Sequence, residues 1–190
     1  MANKEQAKRI TPDNMPRWVA GDSRAAASLA PGDYDFVFSC PPYADLEVYS
    51  DDPRDLSTLT YPEFLEAYRK IIAAACTMLN SDRFACFVVG DVRCPQGFYR
   101  NFVSDTTAAF QDAGLRLYNE AVLVTMVGSL PIRIGKQFAG YRKLGKTHQN
   151  VLVFCKGDPK RAAAAVGPVE VGDIAEQFGE VLSAAAASDD

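Results

Sequence analysis

The sequence predicts an α/β domain on a mostly parallel sheet. Short apolar runs alternate with amphipathic stretches, the pattern of strands covered by helices on both faces. The 190 residues suffice for one domain with a real core and not comfortably for two. Apolar residues make up 48% and charged residues 23% of the chain, the balance of a soluble globular protein.

The elements follow in order. Residues 17–20 can form a short strand ending at Gly21-Asp22, and Ala-rich 23–29 suits a short helix capped by Asp22 or Ser23. Residues 35–39 (DFVFS) read as a buried strand that Pro41 and Pro42 stop. The strongest helix runs from Tyr61 to Asn80. Thr60 and Glu63 sit at capping-box spacing, Pro62 lies in the first turn, and Phe64, Tyr68, Ile71, Ile72, Ala75 and Leu79 make one apolar stripe. Residues 84–90 (FACFVVG) are a strand. Residues 101–113 are a helix closed by Gly114. Residues 117–127 and 151–155 are two more strands, with no helix expected between them. They can pair antiparallel, joined by a long loop over 128–148. A short helix over 172–185 is also possible. The expected division is a disordered N-terminal arm over 1–15, the α/β domain over 16–161 and an acidic, Ala-rich tail over 162–190.

Charge and cysteine usage exclude several classes. Twenty basic against 24 acidic residues leave a net charge of -4, so a uniformly basic nucleic-acid binder is ruled out. The distribution is uneven, however. Residues 131–161 hold eight bases against Asp158 alone, while 162–190 hold six acids and no base. No apolar run approaches the ~18 residues of a membrane span, and the polar N-terminus has no signal-peptide core. Five cysteines without a CxxC pair fit neither a disulfide framework nor a zinc site, and point to a reducing cytoplasm. The Asp-rich stretch 45–55 matches no calcium loop, so no metal is expected. His148 is the single histidine and reads as structural.

In open α/β sheets ligands bind at the carboxyl ends of strands. Three polar clusters fall there: 21–23 (GDS), 39–43 (SCPPY) and 90–93 (GDVR). In the second, each proline fixes φ and removes an N–H, so carbonyl oxygens of the turn are free to aim at a ligand amine. Tyr43 offers a flat face beside them. Such a corner suits a planar base with an exocyclic NH₂. The alternative is that the prolines only end a strand, Tyr43 is packing, and Cys40 is a small filler.

At this point the chain resembles a known family. DFVFSCPPY looks like the (D/N/S)PPY motif of the S-adenosylmethionine-dependent amino methyltransferases that modify adenine N6 or cytosine N4 in DNA. Gly21-Asp22-Ser23 resembles the motif after the third strand of that fold. PPYADLEVYSDDPRDLS, FVVGDVR and RKLGKTHQNVLVFCKGDPK resemble bacterial and phage DNA methylases. The likeness covers about residues 17–161 and implies a Rossmann-like methyltransferase sheet with an antiparallel final pair. By that resemblance Cys40 and the Pro41 carbonyl would hold the target amine, Pro42 would shape the turn, Tyr43 would stack on the flipped base, Asp22 would accept from the cofactor's adenine amine, and Ser23 would also bind the cofactor. Cys40 stands where the family has Asp, Asn or Ser. The 13 glycines include no Gly-x-Gly to approach a cofactor, so the fold reads as incomplete. A second polypeptide or a second copy would complete the S-adenosylmethionine site. The competing class is a non-catalytic DNA-binding or assembly protein derived from such an enzyme.

Two readings remain for the basic segment. Gly140 to Thr147 matches G-x-x-x-x-G-K-[ST], but a phosphate loop must open a helix, and here a strand-like HQNVLVF follows. Arg133, Lys136, Arg142, Lys143 and Lys146, interleaved with Phe138 and Tyr141, better suit contacts to DNA phosphates. A solvated basic loop balanced by the acidic tail is the bland alternative.

Overall fold

The computed structural model describes residues 2–124 and 130–169. Its sheet has four strands in the order β1 (Tyr34–Ser39), β2 (Leu79–Val89), β4 (His148–Lys156), β3 (Arg116–Val124). β1 is parallel to β2, and β4 is antiparallel to both β2 and β3. Three strands therefore run one way, and β4 is inserted against them. The antiparallel final pair expected from the sequence is present.

Helices α3 (Tyr61–Met78) and α4 (Phe102–Asp112) cover one face. Their stripes supply Phe64, Tyr68, Ile72, Phe102 and Phe110, which bury Ala85, Phe87, Val89, Leu152 and Phe154 of the sheet. Phe110 stacks on Phe154 with centroids 4.0 Å apart and meets Phe87 edge-on at 4.8 Å. The Tyr68 hydroxyl pairs with the buried Thr106 hydroxyl at 3.2 Å, and Tyr61 Oη donates to Asp105 Oδ2 at 2.8 Å, so polar atoms as well as rings join the two helices.

Among the described residues, the second face is only partly covered. Strand alternation turns Phe36 and Phe38 away from the core, and they are 55% and 61% exposed. Phe84 and Tyr118 stack on each other, centroids 5.5 Å apart. β1 is an edge strand among the described residues.

Several elements differ from the sequence expectation. Residues 17–20 are not a strand; they have no regular secondary structure and lie outside the sheet. Pro16 removes one ladder donor, four residues offer few bonds, and Trp18 instead lies under the Lys4 ammonium at 5.7 Å. Residues 23–29 form a 3₁₀ turn, Ser23–Ala25, and then α2 (Ala26–Leu29). The third helix stops at Met78, and β2 begins at once, because Tyr34 pairs with Leu79 and Lys156 Nζ takes up the Cys76 and Leu79 carbonyls. The expected loop over 128–148 contains α5 (Leu130–Tyr141). Leu130, Ile134, Phe138 and Tyr141 have helical spacing, which Pro131, Gly135 and Gly140 disguise. Residues 2–10, expected in the disordered arm, form helix α1. α6 (Pro159–Val166) crosses the expected tail boundary and buries Ala162. Its junction with β4 requires Gly157, where φ is +88° and a Cβ would collide with Asp82 Oδ1. The possible helix over 172–185 lies outside the described residues.

Candidate functional site

The end of β1 forms a corner. Cys40 is exposed, and Pro41, Pro42 and Tyr43 are half-buried. Ala44, which is buried, follows in the left-handed region with φ of +53°. A non-glycine residue held there is strained, and such strain persists only where its surroundings enforce it. The chain then tightens into a 3₁₀ turn over Ala44–Leu46.

An open slot of about 300 Å³ lies over this corner, lined by Cys40, Pro41, Tyr43, Leu46, Glu47, Tyr49 and Gln149. That volume is at the lower end for small-ligand sites. Tyr43 is fixed at two points. Its ring meets Phe102 edge-on at 5.7 Å, and its hydroxyl accepts from Gln149 Nε2 at 2.8 Å. Burial pushes the Tyr43 phenol up, reinforced by Cys40 and Tyr49. Because the oxygen accepts from Gln149, its own O–H is left to donate elsewhere.

A second cavity of about 410 Å³ contains Gly21, Asp22 and Ser23 together with Ser50, Asp52 and Arg54. Tyr49 lines the slot and its neighbour Ser50 lines the cavity, so the 43–57 segment forms a wall of both. Asp22 is already occupied: its carboxylate accepts from Arg24 N at 2.9 Å and Arg24 Nη2 at 2.7 Å. Asp52 and Arg54 repeat the arrangement, with Arg54 N at 2.9 Å and Nη2 at 2.5 Å.

These bonds set the acid behaviour. Hydrogen bonds from Arg24 hold Asp22 below 3.8, and those from Arg54 lower Asp52 to about 2. Hydrogen bonds also lower Asp35, Asp55 and Asp82. A carboxylate with a depressed folded pKa contributes stability above its unfolded value and loses it as pH falls through the folded one. The thermal midpoint should therefore fall between about pH 5 and about pH 2. A midpoint unchanged over that range, read by circular dichroism, would contradict these pairings.

The structure separates the other expected residues. Asp91 accepts from Val103 N at 3.2 Å and so caps α4. His148 is exposed at the start of β4. No group of three or more His, Cys, Asp or Glu able to hold a metal occurs among the described residues. The match to a phosphate loop runs from the end of α5 to the start of β4, so Thr147 leads into a strand and not a helix. Lys136 and Arg142 are exposed, and Arg142 Nη1 caps the end of α5 on the Phe138 and Ala139 carbonyls. Arg133 lies in α5, with its side chain outside the described set. Lys146 approaches the slot: a Cβ at Gly90 would be 3.9 Å from its Nζ and 3.8 Å from both Tyr43 Oη and Gln149 Cγ.

The acidic stretch 45–55, which the sequence also reads as a loop able to cover a bound base, supplies Leu46, Glu47 and Tyr49 to the slot, whereas the sequence reading missed Gln149. β4 runs antiparallel to β2, so its first residues, and not its last, reach the carboxyl end of β1.

No protein-family model and no curated protein matches this chain. Solved structures do. TTHA0409 of Thermus thermophilus, described as a putative DNA modification methylase, superposes with a TM-score of 0.54 at 15% identity, over 81% of this chain and 56% of that one. The same protein complexed with S-adenosyl-L-methionine gives 0.51 at 14% identity, over 81% and 55%. This chain spans little more than half the length of those neighbours. Over that span it shares the α/β fold of TTHA0409.

Proposed function

We propose that this chain holds an extrahelical DNA base at the Ser39–Tyr43 corner and acts in methyl transfer from S-adenosylmethionine to that base's exocyclic amine, adenine N6 or cytosine N4. One observation carries the reading: Cys40, Pro41, Tyr43, Tyr49 and Gln149 converge on one open slot at the carboxyl end of β1. The adjoining cavity at Asp22 supports it, as does the fold shared with DNA modification methylases.

Tyr43 and Tyr49 offer aromatic faces to the base. The Pro41 carbonyl and Cys40 sulfur accept from its amine, and Gln149 holds the Tyr43 ring in place. Sulfur is a weak acceptor, so the carbonyl is the stronger partner. S-adenosylmethionine supplies an electrophilic methyl group. The amine nitrogen would be the nucleophile toward that methyl group, and this chain's part is to hold the amine through its N–H groups so that the nitrogen faces the cofactor side. No covalent enzyme intermediate is needed; the protein aligns the amine and places acceptors where positive charge develops.

The cofactor side fits only in part. The Asp22 carboxylate is held by Arg24, and the sequence has no Gly-x-Gly turn. The remainder of the pocket would come from a second polypeptide or a second copy. The exposed Phe36 and Phe38 on edge strand β1 support such a contact, since parallel strands are normally covered on both faces.

Nucleoside mass spectrometry of DNA from cells expressing this chain, with and without its genomic neighbours, tests the proposal. N6-methyladenine or N4-methylcytosine should appear when the neighbours are present. Methylation by the chain alone would contradict the need for a partner. None under either condition would favour the non-catalytic DNA-binding reading.

A further inference from the structure

The segment after β2 folds back on itself. Arg100 N donates to the Val92 carbonyl at 3.0 Å, Cys94 N to the Phe98 carbonyl at 2.8 Å, and Gly97 N to the Cys94 carbonyl at 2.8 Å. Arg93 and Tyr99 form an antiparallel bridge. The Arg93 guanidinium lies 4.0 Å from the Tyr99 ring centroid and donates through Nη1 to the Gly97 carbonyl at 2.8 Å. Gly97 has φ of +94°, a conformation that favours glycine at such a tip. The hairpin is thus braced across its width, yet Phe98 at its end is 74% exposed.

Its position gives this exposure a use. Leu46 lines both the base slot and a cavity of about 220 Å³ beside Arg93, Cys94 and Pro95, so hairpin and slot are neighbours. The Lys143 ammonium approaches Gly97 closely, with Nζ 3.0 Å from where a Cβ would stand. Apolar side chains that enter a base stack, with cations nearby for the phosphates, are how proteins unstack and kink a duplex.

We propose that the 92–100 hairpin is a DNA wedge: Phe98 enters the stack at the place the extruded base vacates, while Arg93 and Lys143 hold the flanking phosphates. The proposal rests on the base-slot reading above. It adds a distinct step, keeping the hole open, to the step of holding the base.

Fluorescence anisotropy with the full chain and two labelled duplexes tests it, one fully paired and one identical but for a central abasic site. In the second the hole already exists, so a wedge fills it without the cost of unpairing. Wild-type protein should prefer the abasic duplex by about tenfold or more, the scale of one base–aromatic contact. Phe98→Ala should bring that ratio close to one, while Phe98→Trp keeps it. Tyr43→Ala should not lower the ratio, because only the paired duplex offers a base to the slot and only that duplex should bind less tightly. A Phe98→Ala ratio equal to wild type, or no wild-type preference, overturns the wedge and leaves the slot reading standing. Failure of the wild-type chain to bind either duplex overturns both.

Discussion

Phe102→Ala should destabilise the domain by about 3–5 kcal/mol, the usual range for removing a fully buried phenylalanine side chain. Phe102 is 1% exposed and opens α4. Its ring lies 5.6 Å from Phe64, 5.3 Å from Tyr68 and 5.7 Å from Tyr43. These contacts join both helices to the site, so the vacated space cannot be filled by moving one side chain. The same change removes the ring that Tyr43 rests against, and the slot should loosen while the remaining fold survives. Urea unfolding measures the first effect. Phe98→Ala is the control: its exposed side chain should change stability by no more than about 0.5 kcal/mol. Equal effects for the two variants would contradict the packing described.

Tyr43→Ala should lower binding of a single-stranded oligonucleotide by about tenfold to a hundredfold, the loss expected for one stacking platform. Tyr43→Phe keeps the ring and its contact with Phe102 but removes the oxygen that Gln149 Nε2 grips. Its loss should stay below about tenfold, the size of one neutral hydrogen bond. The order Ala worse than Phe therefore separates stacking from hydrogen bonding, and isothermal titration calorimetry reads it. Two variants that bind like wild type would remove Tyr43 from the site. Equal losses would move the role from the ring face to the hydroxyl.

The parts of this fold that are legible in the sequence are those governed by local rules. The stripe from Phe64 to Leu79 names a helix, Gly114 closes another with φ of +86°, and the apolar run after Asp35 gives a strand that two prolines stop. The corner at Cys40–Tyr43 is legible for the same reason, since proline chemistry is local. What escapes depends on partners distant in sequence. Residues 17–20 are apolar enough for a strand but pair with none. α5 is hidden because two glycines and a proline lower helix propensity without breaking the spacing of Leu130, Ile134 and Phe138. Gln149 cannot be found without knowing that β4 reverses direction, because only then does its start reach Tyr43. Asp22 is the cap that the sequence suggests, through Arg24 N, but the Arg24 guanidinium also occupies its carboxylate, so it is not free for a cofactor. Arg24, two residues on, is the available signal.

The central claim is that the slot over the double-proline corner receives a nucleobase. Two-dimensional ¹H–¹⁵N correlation spectra of the labelled full chain, titrated with a short single-stranded oligonucleotide, test it most directly. The largest shifts should fall on the Gln149 side-chain amide and on the amides of Tyr43, Leu46, Glu47 and Tyr49. Shifts confined to α5 and the basic loop after it, with the Gln149 side chain unmoved, would show that nucleic acid touches this protein without placing a base in the slot.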